Sequence, residues 1–203
     1  MGIALTAAEQ FICDQQAAPP GELDAATIEA CQRGEPLALR RFVVRYQHLV
    51  FAFLSRMLGA GPHVEDMAQE VFLRAYRALP RFELRPDARV STWLLCIAVR
   101  LVQDARKRRR LATVPLADAP VPQDHHTPER ERRRREIARA FERAAAQLPE
   151  EQRLVFVLAQ FHGQSMMQIS EMLGVPQNTV KTRLFRARTR LRELLAEAWE
   201  EYR

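Results

Sequence analysis

A chain of 203 residues is long enough for one large domain or two small ones, and a hydrophobic fraction of 47% excludes disorder throughout. Lys and Arg total 31 against 25 Asp and Glu, a net charge of +6, and all the cations except Lys107 and Lys181 are arginines, whose planar fork suits phosphates and guanine edges. Three scattered cysteines without C-x-x-C spacing argue against a disulfide framework or a zinc site, and no apolar run reaches the roughly 18 residues of a membrane span. A soluble, cytoplasmic protein without metal or cofactor is therefore expected. An arginine-favouring genome would give the same charge, so composition permits a nucleic-acid partner without establishing one.

Only 7 glycines occur, and long stretches mix Ala, Leu, Arg, Glu and Gln, so the expected fold class is all-α. Residues 1–23, with Ala-Ala-Pro-Pro-Gly at 17–21, read as a tail. Helical patterning then defines a first domain over 24–112. Phe42, Val43, Tyr46, Leu49, Val50, Phe53, Leu54 and Met57 form an apolar helix that closes at Gly59-Ala60-Gly61-Pro62. The next helix, about Glu65 to Leu79, has Met67, Val71, Ala75 and Leu79 as its expected buried stripe, leaving Asp66, Gln69, Glu70, Arg74 and Arg77 on other faces. Local ion pairs would by themselves account for those charges. A polar loop at 83–90 leads to Ser91-Thr92-Trp93, read as a helix start with a hydroxyl cap. Leu94, Ile97, Ala98 and Leu101 continue that helix, with Cys96 as a small core residue and Trp93 as a core anchor. It ends in the basic run Arg106-Lys107-Arg108-Arg109-Arg110.

Residues 113–128 hold four of the chain's 12 prolines and read as a linker, which at about 3.1 Å per residue spans at most about 50 Å. His125 and His126 fall there as solvated residues. The second domain, 129–203, is more specific. Leu148-Pro149-Glu150-Glu151 opens a helix carrying Leu154, Val155, Leu158 and Phe161 and ended by Gly163. Ser165 to Gln168 reads as a capping box for a short helix with Ile169, Met172 and Leu173 inward. Gly174-Val175-Pro176 turns the chain into a long helix from about Gln177 to Trp199. Short helix, turn and long helix make a helix-turn-helix. In the long helix Val180, Leu184, Ala187, Leu191 and Leu194 form one buried stripe. From Thr179 to Arg192 there are six cations and no acid, a one-sided charge that favours phosphates over a plain solvated surface.

Leu-Pro-Glu-Glu-Gln-Arg (148–153), Leu173-Gly174-Val175-Pro176 and Thr179 to Arg188 resemble region 4 of the sigma-70 family. Asp66 to Phe82 resembles region 2.2, and Ser-Thr-Trp-Leu (91–94) through Asp104 to the arginine run resembles regions 2.3 and 2.4. Both stretches occur in the family's order, with a linker where the middle sigma domain would stand, so the chain resembles an extracytoplasmic-function (ECF) sigma factor. The resemblance implies two helical domains that bind core RNA polymerase and promoter DNA. It implies core contacts through Asp66, Gln69, Glu70, Phe72, Arg74 and Arg77 on the clamp helices of the largest subunit, and a contact with the flap of the second-largest subunit. For the −10 element it implies Ser91, Thr92, Trp93, Arg100, Arg106, Lys107 and Arg109. For the −35 element it implies Asn178, Thr179, Lys181, Thr182, Arg183, Phe185, Arg186 and Arg188, with Arg183 and Arg188 on phosphates. An anti-sigma factor is an implied partner, one that could hold the protein at the membrane.

The sequence departs from the family at Val99 and Arg100, where Arg-Asn is common, and at Met167 and Gln168, where acids are common. The alternatives are a helix-turn-helix regulator that does not bind polymerase and a nucleic-acid enzyme. Residues 24–111 show no βα alternation of the kind a receiver domain would give. No G-x-x-x-x-G-K-[ST] or H-E-x-x-H motif occurs, and nothing converges on the Asp66–Glu70 pair.

Overall fold

The computed structural model describes residues 21–59, 61–83, 89–111 and 139–201, and every regular element among them is helical. The described residues fall into two compact units, one over 21–111 and one over 139–201. The proline-rich segment 113–128, the first 20 residues and the expected start of the second domain at Glu129 lie outside the described residues.

The first unit contains α1 (Ala25–Gln32), α2 (Pro36–Leu58), α3 (Pro62–Ala78), a 3-10 turn (Leu79–Arg81) and α4 (Val90–Leu111). Asp24 caps α1 by accepting the Thr27 N–H at 2.6 Å, and that bond lowers the carboxyl pKa. Pro36 and Pro62 sit in the first turns of α2 and α3, where their missing N–H costs nothing. Helix α2 is central and packs on α1, α3 and α4, and α3 packs on α4 as well. The core between them holds Phe42, Tyr46, Phe53 and Leu54 of α2, Val71 and Ala75 of α3, and Leu94, Leu95, Ala98 and Val99 of α4.

Four expectations are corrected here. The buried stripe is Val64, Ala68, Val71 and Ala75 of α3, continued by Leu79 as expected, but Met67 is only half-buried, because α3 is wedged between two helices and the small Ala68 permits the closer approach. Val43 is 40% exposed, on the side of α2 away from its neighbours. Of the two described cysteines the buried one is Cys31 of α1, whose thiol pKa burial raises, whereas Cys96 is half-buried. Ser91 does not cap α4 with its hydroxyl. The helix already starts at Val90, and the Ser91 Oγ donates to Glu22 at 2.5 Å.

Glu22 supplies the missing cap from 68 residues upstream. Its carboxylate accepts the backbone N–H of Val90 at 3.1 Å and that of Ser91 at 3.4 Å, two of the amides that a helix start leaves unpaired. It also accepts the Tyr46 hydroxyl at 2.8 Å, and that hydroxyl in turn accepts the Leu23 N–H. Arg45 donates to the Gly21 carbonyl. Residues 21–23, placed with the tail from the sequence, are thus fastened to α2 and α4.

The second unit contains α5 (helical over 139–146), α6 (Glu150–Gln160), α7 (Met166–Leu173) and α8 (Gln177–Glu201). Five consecutive residues of α6, Leu154 to Leu158, are buried, because α7 and α8 cover one side while Phe141 of α5 meets Phe156 and Phe161 in a ring cluster with centroids 5.8–6.1 Å apart. The capping box is present: Ser165 accepts the Gln168 N–H and Gln168 accepts the Ser165 N–H. Gly174 takes the left-handed conformation at φ 64°, which a side chain would disfavour, and so ends α7. Ile169, Val180, Leu184, Ala187, Leu191 and Leu194 are all buried, so the stripe expected for the long helix is the one observed.

Candidate nucleic-acid interface

The buried stripe fixes the rotation of α8. Asn178, Thr182 and Phe185, spaced i, i+4 and i+7, fall opposite it, and all three are exposed. Phe185 is 69% exposed, a large apolar ring held in water beside cations. The Thr182 hydroxyl donates to the Asn178 carbonyl at 2.9 Å, which leaves its oxygen free to accept. Lys181, Arg186 and Arg188 are exposed on the flanks, and Thr179 is half-buried. Phe185 and Arg186 also border an open hollow of about 470 Å³ with Gln147, Gln152 and Thr189. Arg183 is turned inward, half-buried and ion-paired with Glu151 at 2.5 Å, so it holds α8 to the start of α6. Arg190 pairs with Glu193 on α8 itself at 3.0 Å. What remains outward is a polar and aromatic strip between cationic flanks, the chemistry of base edges flanked by phosphates.

On α4, Trp93, Arg100 and Lys107 are spaced i, i+7 and i+14, which puts an aromatic ring and two cations on one face over about 21 Å. Arg100 and Lys107 are exposed, Arg106 and Thr92 half-buried, and Val99 wholly buried. Arg109 lies within α4, but its side chain is outside the described residues. Trp93 is half-buried and its ring lies 4.8 Å from that of Phe82. Ser91 is 3% exposed and bound to Glu22, so among the described side chains expected at this site it is the one that does not reach the surface.

The outer face of α3 brings together Asp66, Gln69 and Arg77, all exposed, with two residues that sequence reasoning missed: Leu73, 49% exposed, and Tyr76, 54% exposed. Glu70 pairs with Arg74 at 2.7 Å, and Arg74 reaches Asp104 of α4 at 3.8 Å, so this pair borders the face and ties it to the neighbouring helix. Phe72 points elsewhere, half-buried and edge-on to Phe42 at 6.3 Å. Leu and Tyr left uncovered within a ring of charge have the character of a protein-docking patch. Among the described residues no group of three or more His, Cys, Asp or Glu could hold a metal, and no helix is long and apolar enough to cross a membrane.

A helix-turn-helix with a one-sided cationic helix, joined to a second helical domain with its own aromatic and cationic face, defines a two-domain DNA-binding protein. The Sigma-70 region 2 family model matches residues 42–111 and the Sigma-70, region 4 model matches residues 138–191. The chain is 35% identical over 191 residues to RNA polymerase sigma-H factor of Pseudomonas aeruginosa, covering 87% of this chain and 98% of that protein. It is 33% identical over 175 residues to ECF RNA polymerase sigma-E factor of Escherichia coli K12, covering 81% and 90%. The fold is similar to that of sigma factor RpoE of Bartonella quintana, solved with the anti-sigma factor NepR, at TM-score 0.62 and 23% identity over 77% of this chain and 96% of that one. It is also similar to CnrH, solved with the cytosolic domain of CnrY, at TM-score 0.58 and 24% identity over 85% and 96%. The chain belongs to the sigma-70 family and is an alternative sigma factor of the extracytoplasmic-function type, a subunit of RNA polymerase acting in transcription initiation.

Proposed function

We propose that the two domains divide promoter recognition between them, α8 reading the −35 element and α4 the −10 element, while the outer face of α3 holds core polymerase. The observation that carries this division is the outward strip of α8, with Asn178, Thr182 and Phe185 between Lys181, Arg186 and Arg188. A major groove admits such a helix. The exposed side chains on its outward strip, with Lys181 and Arg186 beside them, then meet base edges. Arg188 acts on a phosphate, and Arg183 acts indirectly by fixing the helix on Glu151.

At the −10 element, strand opening exposes bases that can stack on an aromatic side chain while cations follow the backbone. Trp93, supported by Phe82, offers the ring, Thr92 stands beside it, and Arg100, Arg106, Lys107 and Arg109 guide the strand. On α3, Asp66, Gln69, Leu73, Tyr76 and Arg77 form the core-binding patch, bordered by Glu70 and Arg74. Phe72 contributes by seating α3 on Phe42. The clamp helices of the largest subunit are the partner for this patch, and the flap of the second-largest subunit is the partner for the α5–α8 domain. The protein catalyses no reaction of its own and works in the cytoplasm, on the nucleoid when part of holoenzyme. An anti-sigma factor that covers the α3 patch keeps it from polymerase and can hold it at the membrane.

Transcription reconstituted from core polymerase, this chain and a promoter library tests the proposal. The expected product is a set of transcripts whose templates share a −35 and a −10 element at one spacing. Initiation that depends on only one of the two elements would contradict the division.

A further inference from the structure

Two residues that lie before the family-matched stretch, which begins at residue 42, bond to the surroundings of Trp93, one to the backbone of Phe82 and one to the first turn of α4. On one side, the Gln32 amide at the end of α1 donates to the Phe82 carbonyl at 2.7 Å and to the Leu79 carbonyl at 3.2 Å. Phe82 is the ring against which Trp93 packs. On the other side, Glu22 accepts two backbone amides of the first turn of α4, those of Val90 and Ser91, and the Ser91 hydroxyl, two residues before Trp93. The same carboxylate accepts the hydroxyl of Tyr46, a residue with no exposed surface, so Glu22 is itself located by the core. A carboxylate at a helix start satisfies orphan amides and opposes the positive end of the dipole.

We infer that Glu22 and Gln32 are positioning residues for −10 recognition: they set where Trp93 stands, and so how finely the holoenzyme discriminates among −10 sequences, without touching DNA. The inference rests on the reading of Trp93 as a −10 contact. Losing Glu22 leaves two helix-start amides and the buried Tyr46 and Ser91 hydroxyls without their acceptor, and the first turn of α4 is free to shift. Displacement of a recognition group lowers the preference for the right base over the wrong one. A general loss of stability lowers transcription from all promoters alike.

The test uses holoenzymes reconstituted with the full chain carrying Glu22→Ala, Glu22→Gln, Gln32→Ala, Ser91→Ala or Trp93→Ala. Each is assayed by transcription from a −10 library behind a fixed −35 element, with core affinity and helical content measured alongside. Glu22→Ala is expected to reduce discrimination between the best and worst −10 sequences by about tenfold, the effect of one charge-assisted hydrogen bond, with −35 preference and core affinity unchanged. Glu22→Gln keeps one carbonyl acceptor and should lose about threefold by the same scale. Should Glu22→Ala fail to fold, Glu22→Gln and Ser91→Ala carry the test with the same expected direction. A uniform fall across the library, or no change, overturns the inference. If Trp93→Ala flattens the −10 preference while the Glu22 variants do not, the positioning role alone is wrong. If Trp93→Ala keeps wild-type preferences, the −10 reading fails and the inference falls with it.

Discussion

The guanidinium of Arg183 meets the carboxylate of Glu151 at 2.5 Å, joining the second turn of α8 to the first turn of α6 across 32 residues of sequence. A cation inside the helix proposed to read DNA is thereby engaged within its own domain. Glu151 is more than half exposed, so the pair is expected to be worth only about 0.5–1 kcal/mol. A double-mutant cycle of Arg183→Ala and Glu151→Ala by denaturant unfolding should return a coupling of that size. In DNA binding, Arg188→Ala should lower the slope of log affinity against log salt by about one, while Arg183→Ala leaves the slope unchanged.

Arg186 and Arg190 differ in setting and should differ in effect. Arg186 is exposed beside Phe185, whereas Arg190 is paired with Glu193 one turn further along. Arg186→Ala should remove preference at one or two −35 positions, a loss of about 1–3 kcal/mol of discrimination for a paired guanine. Arg190→Ala should weaken binding evenly across sequences. A −35 library selection with each holoenzyme checks both.

The α3 patch gives a separable phenotype. Leu73 and Tyr76 are exposed, so Leu73→Glu and Tyr76→Ala should leave unfolding free energy within about 0.5 kcal/mol of wild type. Core affinity should fall by about 2 kcal/mol for either, the loss expected at a docking anchor. Equilibrium binding to core polymerase with parallel denaturation measures the two effects independently.

Alkaline stability depends on Tyr46. Burial raises its pKa above the ordinary value of about 10, with the hydrogen bond to the Glu22 carboxylate adding to the shift. A group whose folded pKa is raised stabilises fully below its unfolded pKa, and the contribution is lost as pH rises through the folded value. Stability of the first domain should therefore decline from about pH 10 upward. Tyr46→Phe should remove that decline and cost about 1.5–3 kcal/mol at neutral pH, the worth of a hydrogen bond to a charged group. Asp24 acts oppositely, because its bond to the Thr27 amide lowers its pKa and its stabilisation is lost as pH falls through that lowered value. Denaturant titrations across pH follow both.

What the sequence made legible was set by how local the determining contacts are. The α8 stripe, the Ser165 capping box and the Gly174 turn depend on residues within a few positions of one another, and each is present as expected. Periodicity could not choose between Met67 and Ala68 on α3, because that choice depends on two neighbouring helices and on which side chain lets them approach. Nor could it show that Leu73 and Tyr76 remain uncovered, since apolar residues in a helix usually face a core. The bonds from Glu22 to residues 90 and 91 join segments 68 and 69 residues apart, and nothing near either end signals the other. The Ser91 hydroxyl was read as a local cap for the same reason.

The most direct test of the central claim compares footprints on one matched promoter made by the chain alone, by core polymerase alone and by the two together. Each domain offers a modest cationic surface, so the chain alone should bind weakly, with strong salt dependence and little preference. Polymerase fixes both domains on one template and makes the second contact intramolecular. The account predicts joint protection of the −35 and −10 elements, with an opened −10 region, only when chain and core are combined. Full protection by the chain alone, unchanged by core polymerase and without strand opening, would contradict it and identify a helix-turn-helix regulator instead.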